Sequence, residues 1–192
     1  MKKLLSLLLT ALLFTACNSN SKPQQPEEKP LAQNTKTLVV YFSATGNTRR
    51  VAENLAQATG ANLFEIKPTV PYTDADLNWR DKNSRSSVEM NDKKSRPEIV
   101  KNNPHLSEYD TVFLGFPIWW GTAPRVVQTF LEGQNFAGKT IILFATSGSS
   151  DMGSTDKDLN PSVDPSAKIL KGNVLNGNPS VEELKTWAAS FK

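Results

Sequence analysis

The run Leu38-Val39-Val40-Tyr41-Phe42, followed at once by Ser43-Ala44-Thr45-Gly46-Asn47-Thr48, constrains this chain more than any other stretch. The apolar, partly β-branched run reads as a buried strand. Val51, Leu55 and Ala58 then recur about one turn apart, which predicts a helix. A strand feeding a helix through a hydroxyl- and glycine-rich turn aims backbone N–H groups outward, where the helix dipole adds partial positive charge. Ser43, Thr45, Asn47 and Thr48 bring short donors without bulk, and Gly46 permits positive φ or close approach of a ligand. The turn lacks the Gly-Lys-Ser/Thr ending that places a lysine on a β- or γ-phosphate. It also lacks the Gly-x-Gly-x-x-Gly of a dinucleotide site. One terminal monophosphate suits it best. The plain alternative is an ordinary turn with Ser or Thr capping the helix.

Ser43-x-Thr45-Gly46-Asn47-Thr48 after an apolar strand resembles the FMN phosphate loop of the flavodoxin family. The resemblance runs from about Thr37 to the C-terminus. It implies an α/β fold, a flavodoxin-like three-layer sandwich with a five-stranded parallel sheet of order 2-1-3-4-5, and FMN as cofactor.

The pattern of the chain agrees with alternating strands and helices. Strands are expected at Thr37–Phe42, Asn62–Lys67, Thr111–Phe116 and Lys139–Ala145, with a weak one at about Lys168–Leu175. Helices are expected at about Asn47–Ala58, at Pro124–Leu131 with proline at its start, and from Pro179-Ser180 onward, where Glu182 and Glu183 fill a first turn. That last helix places Val181, Leu184, Trp187 and Phe191 on one face. Buried strands separated by helices argue for a parallel sheet covered on both sides. Between them, Pro68 to Leu106 is polar and broken by prolines. Tyr72, Leu77 and Trp79 are its expected anchors, and a helix over about Asp74–Asn91 with a thin apolar face is the best reading. The resemblance makes it an enlarged second crossover.

Two further loops follow buried strands. Pro117-Ile118-Trp119-Trp120-Gly121 puts adjacent tryptophans at the carboxyl end of a strand, where parallel sheets bind ligands, the flavodoxin–FMN pair among them. A flat ring system needs a flat wall, which Trp119 or Trp120 supplies, with Pro117 and Ile118 at the edge. Two core tryptophans under a loop is the alternative. The resemblance adds that the Gly121 peptide can turn its carbonyl toward a reduced flavin nitrogen. The loop Thr146–Ser154 is small and polar, so its backbone can approach a ligand closely. The resemblance sets Ser147, Gly148 and Gly153 beside the pyrimidine end of the flavin; a surface loop is the alternative. Arg49, Arg50 and Arg125 read as solvated surface residues near the site, and His105 carries no expected catalytic role.

The N-terminus reads differently. Residues 1–17 hold the basic Lys2 and Lys3, then an apolar run from Leu4 to Phe14 too short for a comfortable membrane span. Phe14-Thr15-Ala16-Cys17 resembles a bacterial lipobox, in which the cysteine is lipidated. Cys17 is the one cysteine of the chain, so no intramolecular disulfide forms. Residues 18–36 are rich in Asn, Ser, Pro, Gln and Glu and cannot bury enough apolar surface to offset ordering entropy, so they are expected to act as a linker. Residues 37–192 form the domain. Asn18 does not resemble the aspartate signal that retains lipoproteins at an inner membrane.

The net charge is +3, and without Lys2 and Lys3 it is 20 basic residues against 19 acidic, or +1. This balance gives no electrostatic case for nucleic acid, and it departs from the strongly acidic surfaces usual in the resembled family. The expected function is a membrane-tethered, FMN-binding electron carrier. It would be exported, held to the periplasmic or cell-surface side of a bacterial membrane through its lipid anchor only, and matched to a redox partner protein or a small electron acceptor. An FMN-dependent NAD(P)H-quinone or small-acceptor reductase and a flavodoxin-like module without FMN are the alternatives. No acid, base, nucleophile or metal ligand set is evident in the sequence.

Overall fold

Each apolar run read as a strand pairs in parallel with its spatial neighbour. The computed structural model describes residues 36–191. The expected signal segment 1–17 with Cys17, and the linker 18–36 apart from Lys36, lie outside the described residues. The strands are β1 (Thr37–Tyr41), β2 (Asn62–Glu65), β3 (Thr111–Pro117), β4 (Thr140–Thr146) and β5 (Lys168–Leu170). They form one sheet in the order β2-β1-β3-β4-β5. Among the described residues, α1 (Asn47–Thr59), α2 (Arg85–Asn91), α3 (Arg125–Glu132) and α4 (Thr155–Leu159) connect successive strands, and α5 (Val181–Ala189) follows β5. The fold is therefore α/β with the strand order expected from the resemblance.

Alternation along the strands builds two cores. Val39 and Tyr41 of β1 face Val51, Leu55, Leu184 and Ala188, so α1 and α5 cover one side of the sheet. Leu38 and Val40 face Val126, Val127, Phe130 and Leu131, so α3 covers the other. β1, β3 and β4 are buried on both faces, which is why they read as continuous apolar runs. β2 is an edge strand, and its Leu63 is exposed. Among the described residues, no helix is long and apolar enough to cross a membrane.

Three expectations need correction. The helix expected over Asp74–Asn91 forms only from Arg85. Upstream of it, side chains of Asp76, Asn78 and Asp81 bond nearby backbone N–H groups and close a succession of turns. Such local bonds compete with the helical ladder, and a thin apolar face gave nothing to outweigh them. β5 stops at Leu170 rather than Leu175. At Gly172 a Cβ would come within 2.0 Å of the Leu143 carbonyl oxygen, so the backbone crosses hard against β4 before an isolated Val174–Ala145 bridge resumes the pairing. Arg125 is no surface residue. It is buried, donating to the Met90 carbonyl (2.9 Å) and to Gln128 (3.0 Å), and so ties the start of α3 to the end of α2. Burial, then the like charge of Arg96, pulls its guanidinium pKa below the usual value.

The last helix keeps its predicted start. Ser180 and Glu183 form a reciprocal capping box. Leu184 is buried, and Val181, Trp187 and Phe191 pack partly buried on the same core.

Gly115 sits mid-strand in β3, paired with Tyr41 on one side and Phe144 on the other. An added Cβ would lie 2.1 Å from a ring carbon of the fully buried Phe144. Gly115→Ala is expected to destabilise the fold by about 1–3 kcal/mol through overpacking. The check is a urea unfolding curve, in which the midpoint should fall at an unchanged slope; an unmoved midpoint would show that the Phe144 ring yields freely.

Candidate functional site

Parallel pairing sends every strand's C-terminal end to the same sheet edge, so the loops after β1, β3, β4 and β5 converge. The turn after β1 carries short hydroxyl donors and a glycine. Gly46 caps α1 with φ +85°, and no side chain bonds the orphan N–H groups of the first turn. A Cβ at Gly46 would meet nothing within 4 Å, so the space over the turn is open. The Ser43 hydroxyl oxygen is buried and has no hydrogen-bond partner. A glycine-capped helix start beside a buried, partnerless hydroxyl provides the donor set of an anion site. Asn47 donates to Thr45 Oγ1 (3.2 Å), and Arg50 donates to Asn47 Oδ1 (2.7 Å). This chain of bonds holds a cation at the same turn. Thr48 plays a different part: it is buried, and its hydroxyl pairs with that of Thr146 at 2.8 Å, stapling the turn to the end of β4.

A cavity of about 500 Å³ opens from this turn. Thr45, Asn47 and Arg50 line one end, Pro117, Ile118 and Trp119 one side, and Ser147 and Gly148 another. That volume is in the range of small-molecule and cofactor sites.

The structure separates the two tryptophans. Trp119 packs edge-on against Phe42 (5.7 Å between centroids) and Tyr72 (5.2 Å). Tyr72 in turn donates to Glu89 Oε2 at 2.5 Å, with the Arg85 guanidinium 4.0 Å over its ring and bonded to the same carboxylate. The Trp119 ring is thus held from behind by a polar–aromatic network and forms a fixed wall. Trp120 is 47 % exposed and does not line this cavity. Trp119 and Thr122 exchange both backbone hydrogen bonds (2.9 and 3.0 Å) around Trp120 and Gly121, whose φ values are +47° and +78°. Two positive φ values in a two-residue loop describe a type I′ turn. Glycine suits it, but a bulky tryptophan in that region is strained.

The third and fourth loops are clamped together. The Asn176 side chain accepts from Ser147 N–H (2.9 Å) and donates to Ser147 C=O (2.8 Å). The Ser147 backbone is therefore engaged within the chain, while Gly148 lines the cavity. Gly153 lies away from it, near the Gly121 carbonyl, and its own carbonyl accepts from Lys171.

Of the residues expected at the site, Thr45, Asn47, Pro117, Ile118, Trp119, Ser147 and Gly148 share the cavity. Ser43, Gly46 and Thr48 build the turn behind it. Trp120, Gly121 and Gly153 stand outside it. Sequence reasoning placed Arg50 near the site only as a solvated cation, began the third loop at Thr146 without singling that residue out, and missed Val51 and the segment Leu175–Asn178 as lining residues. The last carried a signal: Asn176-Gly177-Asn178 is strong turn chemistry just after the expected fifth strand, hence at the same sheet edge. Among the described residues, no group of three or more His, Cys, Asp or Glu side chains could hold a metal ion.

Comparison with known proteins gives the same picture. A family model described as flavodoxin matches residues 36–191. A solved structure of a chain from Bacteroides uniformis ATCC 8492, assigned as a flavoprotein, is 52% identical, with a TM-score of 0.75 over 80% of this chain and 97% of that one. A second, from Bacteroides eggerthii DSM 20697 and likewise assigned, is 46% identical, with a TM-score of 0.76 over 82% and 98%. A flavoprotein from Lactobacillus acidophilus NCFM, solved in complex with FMN, is 23% identical, with a TM-score of 0.59 over 80% and 99%. No curated protein matches the chain.

The network behind Trp119 has a signature in alkali. Burial first, then the hydrogen bond to Glu89 and its charge, raises the Tyr72 pKa above the usual value of 10.0. Unfolded, the phenol ionises near pH 10; folded, it keeps its proton, so its contribution to stability is full below pH 10 and is lost as the pH rises beyond it. Tyr72→Phe should be less stable than the parent at pH 8, and the gap should narrow above pH 10. Urea midpoints of both proteins across that range test this; a gap independent of pH would contradict the network.

Proposed function

The chain belongs to the flavodoxin family, and on that premise we propose that it is an FMN-binding electron-transfer flavoprotein, tethered to a bacterial membrane through a lipid on Cys17. The uncapped start of α1 beside the orphaned Ser43 hydroxyl carries this reading, because it is a monophosphate site opening into a cofactor-sized cavity. The residues fit FMN. Ser43, Thr45 and the first-turn N–H groups of α1 would hold the phosphate, and Arg50 would add positive charge at the same place. Trp119, braced by Phe42 and Tyr72, gives the ring its wall. The Asn176–Ser147 clamp fixes the opposite side.

FMN supplies the redox chemistry when bound, and the protein supplies orientation and electrostatics. Apolar surroundings beside Trp119 would disfavour an added negative charge on a bound flavin ring and so lower its reduction potential. The FMN complex of the Lactobacillus acidophilus flavoprotein supports the cofactor. The sequence before the domain supports the tether: the lipobox-like Phe14-Thr15-Ala16-Cys17 provides the anchor, and residues 18–36 set the domain off from the membrane. The partner is a redox protein or a small electron acceptor on the outer side of that membrane.

Removing the phosphate donors should discriminate between flavins. Ser43→Ala combined with Thr45→Ala is expected to weaken FMN binding by about 100-fold or more, since two hydrogen bonds to a charged group are lost and each contributes roughly 1.5–3 kcal/mol. Riboflavin, which lacks the phosphate, should bind within about threefold of the parent, since the one bond lost within the chain is the exposed, neutral one from Asn47 to Thr45 Oγ1. Fluorescence titration of both flavins measures this. Equal weakening of the two would overturn the phosphate assignment.

A further inference from the structure

Asn176-Gly177 is the one asparagine–glycine pair in the sequence. It lies on the loop after β5, and both residues are exposed. Gly177 has φ +77°, and a Cβ there would meet nothing within 4 Å. Among the described residues its backbone nitrogen makes no hydrogen bond. The nitrogen that follows the Asn176 side chain is therefore unengaged and unshielded.

The side-chain amide of Asn176 is engaged at both ends. Its Oδ1 accepts from the Ser147 N–H at 2.9 Å, and its Nδ2 donates to the Ser147 carbonyl at 2.8 Å. An N–H aimed at Oδ1 draws charge from Cγ and steadies the oxyanion that forms when a nucleophile adds there. A polarised carbon and a free nitrogen in one residue pair make the attack intramolecular. Other asparagines lack one of these parts. Asn103, Asn160 and Asn178 precede prolines, whose nitrogens carry no proton. Asn54 lies inside α1, where the ladder engages the next nitrogen. Asn173 precedes the β-branched Val174.

We propose that Asn176 is a site of intramolecular deamidation, and that its conversion unfastens the clamp between the loops after β4 and β5. The Gly177 nitrogen attacks Asn176 Cγ. A C–N bond forms, the Cγ–Nδ2 bond breaks, and ammonia leaves with the proton that Gly177 gives up. The cyclic imide left in the chain takes one water at either carbonyl and opens to aspartate or isoaspartate. Neither product keeps the Nδ2 donor. A carboxylate oxygen then faces the Ser147 carbonyl, acceptor against acceptor, and isoaspartate also reroutes the main chain through the former side chain. Ser147 and Asn176 both line the main cavity, so that pocket loosens irreversibly as the molecule ages. The effect on flavin rests on the proposed function; the reaction itself does not.

The test is peptide mapping by mass spectrometry of the full chain, held for days in mildly alkaline buffer. Asn176 should be the first asparagine to gain one mass unit, as a mixture of aspartate and isoaspartate. Gly177→Ala should slow that gain severalfold, because a side chain restricts the rotation that brings the nitrogen to Cγ. Asn176→Asp, which makes one product directly, should lower the urea midpoint and weaken FMN about fivefold, the effect of one neutral hydrogen bond lost. Asn173→Asp adds the same charge to the same loop and keeps its acceptor for Trp187 Nε1, so it should change neither. Asn176 left intact while another asparagine converts would overturn the site, as would conversion equally fast in Gly177→Ala. An Asn176→Asp protein that matches Asn173→Asp in both measurements would overturn the unfastening. If the chain retains no FMN, the flavin reading fails, while the mass map and the urea midpoints still decide this inference.

Discussion

The parallel pairing of β1 with β3 is the contact on which the rest of the molecule depends. It runs from Thr37–Thr111 to Tyr41–Gly115 and is closed by a hydrogen bond from Phe42 N–H to the Gly115 carbonyl. It puts the phosphate-type turn and the tryptophan loop side by side at one edge, and Thr48 then staples the first of these to β4 through Thr146. Because β1 and β3 are buried on both faces, neither can slip by a residue without exchanging its two core faces. The geometry of the cavity is therefore inherited from the core, and the loops need only supply chemistry.

Much of this was legible in the sequence, for a physical reason. Strands buried on both faces appear as apolar runs, and β1, β3 and β4 were read within a residue or two of their ends. The open turn at Ser43–Thr48 was legible because short hydroxyl residues and a glycine between a strand and a helix leave backbone donors uncovered. The fold order came from the resemblance, and the pairings agree with it.

What was not legible depended on contacts between distant segments. Adjacent tryptophans have equal claim to be a wall until Phe42 and Tyr72 are seen to brace Trp119, while a type I′ turn throws Trp120 outward. Arg125 looked like a surface cation because nothing local shows that the end of α2 covers it. The polar stretch before Arg85 looked helical by length, yet its Asp and Asn side chains satisfy the backbone in turns. That failure matters for function. The same irregular segment carries Tyr72, which holds the flavin-side wall.

The central claim, that the converging loops hold FMN, is tested most directly by a visible absorption spectrum. The full chain would be mixed with excess FMN, passed through a desalting column and scanned. The account predicts flavin bands that elute with the protein at one equivalent and are displaced from their position in free FMN by the Trp119 wall. Protein that elutes colourless after saturation with FMN would contradict it.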